Sequence, residues 1–238
     1  MSGFEGPRLH LRVVDSTNER ARELAQCGAA SGTVVTADEQ TAGRGRHGRR
    51  WSAPPGAALL CSFVLRPLER HHALLPLAAP LAVCEAAEAL APVRCEVKWP
   101  NDVWLEEHKL AGVLIEARPP EWAVIGVGMN LAVQADDFPD DLRWPATSLG
   151  HGAGVDEALG ALREALGRWL VAGPAEVTEA FAGRDALRGR RVTWEAAGDD
   201  GSDGEGTAAG VDERGNLVVE LDTGETVSLG SGEVSLRL

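Results

Sequence analysis

The sequence predicts an α/β fold of the α+β kind: a mixed, largely antiparallel sheet flanked by helices, followed by a small C-terminal barrel of SH3-like type. Two observations carry the first part. Apolar strand-like runs such as "AALLCSFVLRP" and "WAVIGVGMNLAV" recur through the first 184 residues, and helical stretches of a different period lie between them. A third observation sets the rest apart. After Leu187 the helical period vanishes, and short strands are separated by Gly/Asp-rich turns. The 238 residues therefore divide into 1–184 and 185–238. A second unit of about fifty residues is too small to be generously stable unless it packs on the first.

In order along the chain, "DSTNERARELAQCGA" starts a helix. Asp15 or Ser16 is placed to cap it, Glu19 is a capping-box partner for Ser16, and Gly28 closes the end. "GTVVTADEQ" reads as a short strand running into a polar loop, and "AALLCSFVLRP" as a strand stopped by Pro67. Leu74 to Leu90 is rich in Ala and Leu with charge only at Glu85 and Glu88, which suits a mostly buried helix. "RCEVKWP" and "KLAGVLIEA" are strands on either side of a loop, and "WAVIGVGMNLAV" is apolar enough to be central. Val155–Val171 and Ala175–Ala182 read as helices, and "GDDGSDGEG" (Gly198–Gly206) as a solvated tip between terminal strands.

The chain carries a net charge of -13, which argues against broad nucleic-acid binding because that affinity comes from neutralising phosphates. The N-terminus has no basic region followed by an apolar run, so no signal peptide is expected. The apolar stretch Ala73 to Cys84 is short for a membrane span and contains Pro76 and Pro80. The four cysteines form no CxxC pair, excluding the usual zinc or dithiol spacing, and read as buried small hydrophobes in a reducing, cytoplasmic setting.

Against this acidic background, "TAGRGRHGRRW" places Arg44, Arg46, Arg49 and Arg50 around three glycines and beside Trp51. Glycines let backbone N–H groups approach an anion, and guanidinium groups match phosphate or carboxylate. A solvated loop is the competing reading, weakened by the adjoining aromatic wall. "KWPNDVW" holds Lys98 and Asp102 about a turn shaped by Pro100; by itself it is an ordinary turn. Lys109 opens an apolar strand, where a lysine either reaches into a pocket or snorkels to water. "GVGMN" is a glycine-bearing strand end that lets something approach the backbone closely. Ser16, Thr17 and Asn18 are helix-capping types and equally suit an uncharged polar ligand.

Taken together and in this order, "DSTN", the glutamine before "AGRGRHGRRW", "KWPNDVW", "KLAGVLIEA" and "GVGMN" resemble the biotin–protein ligase family, from about Asp15 to the C-terminus. The resemblance implies a catalytic domain like that of class II synthetases. It implies that biotin and ATP, with Mg²⁺, form biotinyl-5'-AMP, and that biotin is then passed to a lysine of a biotin carboxyl carrier protein. By the same resemblance Ser16, Thr17 and Asn18 contact biotin, with Ser16 on the ureido ring, and Gln40 lies near its tail. Arg44, Gly45 and Arg46 hold biotin and the adenylate; Arg49 and Trp51 complete that clamp. Lys109 engages the carboxylate or phosphate, and Lys98 helps balance phosphate charge. Asp102 serves a metal or the incoming lysine, and Asn130 and Trp144 lie by the adenine. The metal ligands stay unassigned. Only about fifteen residues precede "STN", so the monofunctional type without a DNA-binding domain is expected, with no DNA or membrane partner. A homodimer stays open. The competing readings are a lipoate–protein ligase of the same fold and a non-catalytic carrier-binding module.

Overall fold

The computed structural model describes residues 4–140, 142, 144–150, 152, 154–195, 203–230 and 233–236. Seven strands form the main sheet: β1 (Arg8–Val14), β2 (Val34–Gln40), β3 (Ala58–Leu65), β4 (Glu96–Lys98), β5 (Asp102–Leu105), β6 (His108–Arg118) and β7 (Trp122–Asn130). Their spatial order is β1-β2-β3-β7-β6-β5-β4, which puts the strongly apolar β7 in the middle. Only the β1–β2 pair is parallel; the other five are antiparallel, so the sheet is mixed and largely antiparallel as the sequence predicts. β1 had no counterpart among the predicted elements. The sequence places β5 within a turn. It is instead the second arm of a tight hairpin with β4, with Lys98 directly opposite Asp102.

The side-chain alternation of β3 explains how the sheet serves two purposes. Every residue of this strand is buried. Leu59, Cys61, Phe63 and Leu65 join the main core with α2 (Leu75–Leu90) and α3 (Val155–Trp169). Residues of the opposite parity point the other way: Val64 packs with Ala21 and Ala25 of α1 (Thr17–Gln26), and Ala58 and Leu60 pack near Trp51. A strand covered on both faces reads as a continuous apolar run rather than an alternating one. Helix α4 (Pro174–Ala182) completes the first unit.

Helix α1 departs from its expected start. Ser16 is the N-cap residue, but its side chain makes no capping hydrogen bond, and Glu19 pairs with Arg22 and Arg44 instead. The C-terminus follows the glycine rule. Gly28 has φ of 87°, and the N–H groups of Gly28 and Ala29 donate to Ala25 and Leu24 carbonyls, satisfying the last turn. The helical run Arg70–Leu90 is long and apolar enough to cross a membrane by length and composition, and 67% of its most apolar window is buried inside the protein. Its packing against α3 accounts for that composition. Cys61, Cys84 and Cys95 are buried, and burial pushes the Cys95 thiol up to about 12; Cys27 is exposed, contrary to the expectation for all four.

Five antiparallel strands make the terminal unit: β8 (Arg191–Glu195), β9 (Gly204–Val211), β10 (Leu217–Glu220), β11 (Thr226–Leu229) and β12 (Glu233–Leu236), in the order β11-β10-β9-β8-β12. The expected tip lies partly outside the described residues, and Gly204–Gly206 belong to β9 rather than to a loop. The unit is packed on the main body. Val192, Ala208, Leu217 and Val219 share its core, and Trp99 Nε1 donates to the Gly215 carbonyl at 3.0 Å. At the junction Arg184 grips Glu88 with two N–H groups, at 2.5 and 2.8 Å. Burial alone would raise the Glu88 carboxyl, but the bonds from Arg184 and the Cys95 N–H hold it below the usual range.

Candidate active site

On the α1 side of the sheet, three strand positions that alternation turns away from the main core are glycines: Gly112, Gly126 and Gly128. At Gly126 and Gly128 there is no room for a side chain. A Cβ on Gly126 would lie 1.8 Å from Asn18 Oδ1, and one on Gly128 would lie 2.4 Å from the Trp51 ring. The close approach anticipated at "GVGMN" is therefore made by the protein's own Asn18 and Trp51, which pack directly on the β7 backbone.

The first turn of α1 supplies a buried polar edge to this floor. Ser16, Thr17 and Asn18 are all buried although uncharged and polar. Gln40 Oε1, at the end of β2, accepts from the Thr17 N–H at 2.7 Å and lies 3.1 Å from its hydroxyl. Ser62, the one polar residue of β3, donates to Asn18 Oδ1 at 2.6 Å and lies 2.8 Å from Thr17 Oγ1. Asn18 Nδ2 donates to the Leu114 carbonyl at 3.3 Å and to Glu116 Oε2 at 3.0 Å. Asp15 lies just before the helix, and the Ser16 N–H that it accepts holds its carboxyl below the ordinary value. The sequence motifs assign no role to Ser62, or to Glu116 within "KLAGVLIEA". The signal for Ser62 was a lone hydroxyl within an otherwise apolar strand.

The cations stand opposite. Lys109 Nζ pairs with Asp102 at 2.7 Å and lies 5.6 Å from the Trp51 ring centroid. The two residues that the motifs treated separately thus form one ion pair, across neighbouring strands. Lys98 is buried with its ammonium 5.2 Å from the Trp144 ring and 5.8 Å from that of Trp104, within cation–π range. Asn130 Nδ2 donates to the Thr147 carbonyl at 2.9 Å.

The Arg/Gly segment overhangs the floor as a flap. It folds on itself through Gly45 N–H to Arg49 O (2.8 Å) and Trp51 N–H to Gly43 O (3.0 Å), with His47 in the left-handed region at φ 53°. Arg44 Nη1 shares itself between Glu19 (3.3 Å) and Glu116 (3.1 Å), and Arg46 reaches Asn101 Oδ1 at 3.4 Å. All fourteen residues to which the resemblance gives a role, from Ser16 to Trp144, line this one pocket, joined by Arg50, Pro139, Leu142 and the glycine floor. A vessel with an uncharged polar end, an aromatic wall and a cationic rim suits an elongated ligand that is apolar in the middle and anionic at one end.

Among the described residues no group of three or more His, Cys, Asp or Glu is arranged to hold a metal ion, and Asp102 is the one carboxylate lining the pocket. That donor set fits a magnesium ion that arrives on substrate phosphates and takes one protein carboxylate, as Mg²⁺ commonly does.

Comparison with known proteins agrees with this chemistry. The chain is 41% identical over 159 residues to the bifunctional ligase/repressor BirA of Bacillus spizizenii, a match covering 63% of this chain and 49% of that protein. The chain thus spans about half the length of that relative. It is 36% identical over 231 residues to the biotin–[acetyl-CoA-carboxylase] ligase of Mycobacterium tuberculosis, covering 92% of this chain and 85% of that one. A solved biotin protein ligase from Aquifex aeolicus, in complex with biotin and ATP, superposes with a TM-score of 0.81 at 31% identity, over 97% of this chain and 98% of that chain. The biotin protein ligase C terminal domain matches residues 189–237, and the model of the larger family matches 10–130. On that match the chain belongs to the biotin/lipoate A/B protein ligase family.

Proposed function

We propose that this protein is a biotin–protein ligase that works on a biotin carboxyl carrier protein of a carboxylase. In the first step a biotin carboxylate oxygen attacks the α-phosphorus of ATP; the bond to pyrophosphate breaks and biotinyl-5'-AMP forms. In the second a carrier lysine nitrogen attacks the acyl carbon, loses a proton, and displaces AMP. The observation that carries this reading is the convergence of a neutral polar pocket end (Ser16, Thr17, Asn18) and a lysine–aspartate pair within one cavity under an arginine flap.

The chemistry accounts for the residue types. Bringing a carboxylate to a phosphate sets two anions against each other, and Lys109, Lys98 and the flap arginines offset that repulsion. A magnesium ion held by ATP and Asp102 would add charge neutralisation at the departing pyrophosphate. Ser16 bonds the ureido ring, Gln40 orders the first turn of α1 beside the biotin tail, and Trp51 walls the apolar middle. Arg44, Gly45, Arg46 and Arg49 close over the adenylate and exclude water, which would otherwise hydrolyse it. Asn130 and Trp144 bracket the adenine. Asp102 also faces the incoming amine once Lys109 has turned to the substrate.

We place the catalytic domain at 1–184 and the terminal β-unit at 185–238; the seven-stranded and five-stranded sheets fall on either side of that division. DNA and membrane lie outside this reading, to which the charge of -13 and the packing of the apolar helix against the core lend support. A cytoplasmic location accords with the free thiols, and a homodimer is compatible with it. Pyrophosphate exchange driven by biotin and not by lipoate is the expected result. Exchange with lipoate alone would favour the sister activity, and carrier binding without ATP turnover would favour a docking module.

A further inference from the structure

Glu116 lies within "KLAGVLIEA" but is given no role by that motif, yet its one carboxylate group touches both ends of the device. Its Oε2 accepts from Asn18 Nδ2 at 3.0 Å and its Oε1 faces Arg44 Nη1 at 3.1 Å, with the side chain 22% exposed. The Asn18 amide cannot be turned over. Its Oδ1 receives the Ser62 hydroxyl, and a flip would set that oxygen against the Leu114 carbonyl and the Glu116 carboxylate, both acceptors. The amide of the buried pocket end is thus oriented from β3 and β6, and the β6 carboxylate that orients it also anchors the root of the flap.

We propose that Glu116 is a positioning residue that tethers the arginine flap to the vitamin end of the pocket, an inference that rests on the ligase reading above. Glu116 reaches Arg44 and Asn18 rather than the reacting atoms, so its contribution is to geometry. Arg44 is 46% exposed and also meets Glu19, so the tether is a modest one. Partly exposed ion pairs are worth about a two- to fivefold change in an equilibrium, and salt weakens them.

The test uses the full chain and two variants. Glu116→Gln keeps an oxygen for the Asn18 amide and removes the charge facing Arg44; Glu116→Ala removes both. Glu116→Gln is expected to release preformed biotinyl-5'-AMP about two- to fivefold faster at low salt, with the KM for biotin unchanged. The difference should shrink near 1 M salt, where the screening length is about 3 Å. Glu116→Ala should raise both the release rate and the biotin KM. Without any ligand, trypsin should cut the flap faster in both variants, and this effect should disappear when Arg44→Ala is the background. Wild-type release and wild-type flap cleavage in a folded Glu116→Gln would overturn the tether, as would a biotin KM raised equally in the two variants. A wild-type chain that makes no biotin adenylate would instead sink the proposed function, leaving ligand-free cleavage to judge the tether.

Discussion

Ser62, behind the polar end of the pocket, is fully buried and bonded to two side chains of α1, whereas Arg44, in the flap, is 46% exposed and divides one nitrogen between two glutamates. The floor is built from sheet ladders, glycines and neutral hydrogen bonds with short distances. The flap is built from local backbone bonds that close on themselves and from charged side chains at the surface. Interactions of the first kind are lost only by disturbing the core, while those of the second can be exchanged for a ligand at little cost. The function proposed above, in which one small molecule is recognised and a reactive anhydride is then held away from water, calls for both.

The largest expected effect comes from the cation at the boundary between the two regions. Lys109→Ala should lower adenylate formation on the order of 10²–10³-fold, read as pyrophosphate release, as for loss of one aimed electrostatic contact. Near-normal release would remove Lys109 from the chemistry. Next, Gly126→Ala should injure the floor alone. Its Cβ would sit 1.8 Å from Asn18 Oδ1, and such overpacking costs about 1–3 kcal/mol. A lower melting temperature together with a raised biotin KM is expected; an unchanged KM would show that the close packing of Asn18 does not shape the vitamin end. Arg46→Gly should injure the flap alone, with about tenfold faster escape of the adenylate and an unaltered melting temperature, the size expected for one hydrogen bond to a charged group.

A change away from both regions sharpens the contrast. Glu88→Gln at the junction with the terminal unit should lower stability near neutral pH by about 1–2 kcal/mol and leave the KM values alone. Because the folded Glu88 carboxyl is held below 4.5, its contribution is present above that pH and is lost as the pH falls through the lower folded value. Denaturation midpoints of wild type and variant should therefore converge in acid. A gap that stays constant down to pH 3 would assign the loss to packing instead.

Much of this was legible in the sequence because the motifs combine chemistry with local backbone demands. Glycines spaced between arginines mark a flap, and Lys109 at the mouth of an apolar strand lands in the pocket beside Trp51. The apolar run of β7 reads as the central strand that it is. What escaped has a common cause: it depends on partners distant along the chain. Gly128 announces a close approach but not that Trp51 makes it. Glu116 looks like the polar end of a strand, and its meaning appears only when Asn18 and Arg44 are beside it. β1 at the sheet edge alternates charged and apolar residues, and β5 is four residues hidden behind a proline turn, so neither carries a strong period. At Ser16 the sequence offered a cap, but the helix start serves the pocket and the side chain makes no capping bond.

The most direct measurement is incubation of the full chain with biotin, radiolabelled ATP, magnesium and an isolated biotin carboxyl carrier domain, followed by mass analysis of that domain. The account predicts release of AMP and pyrophosphate and the mass of one biotinyl group on a single carrier lysine. A carrier that binds but gains no mass, with ATP intact, would contradict it.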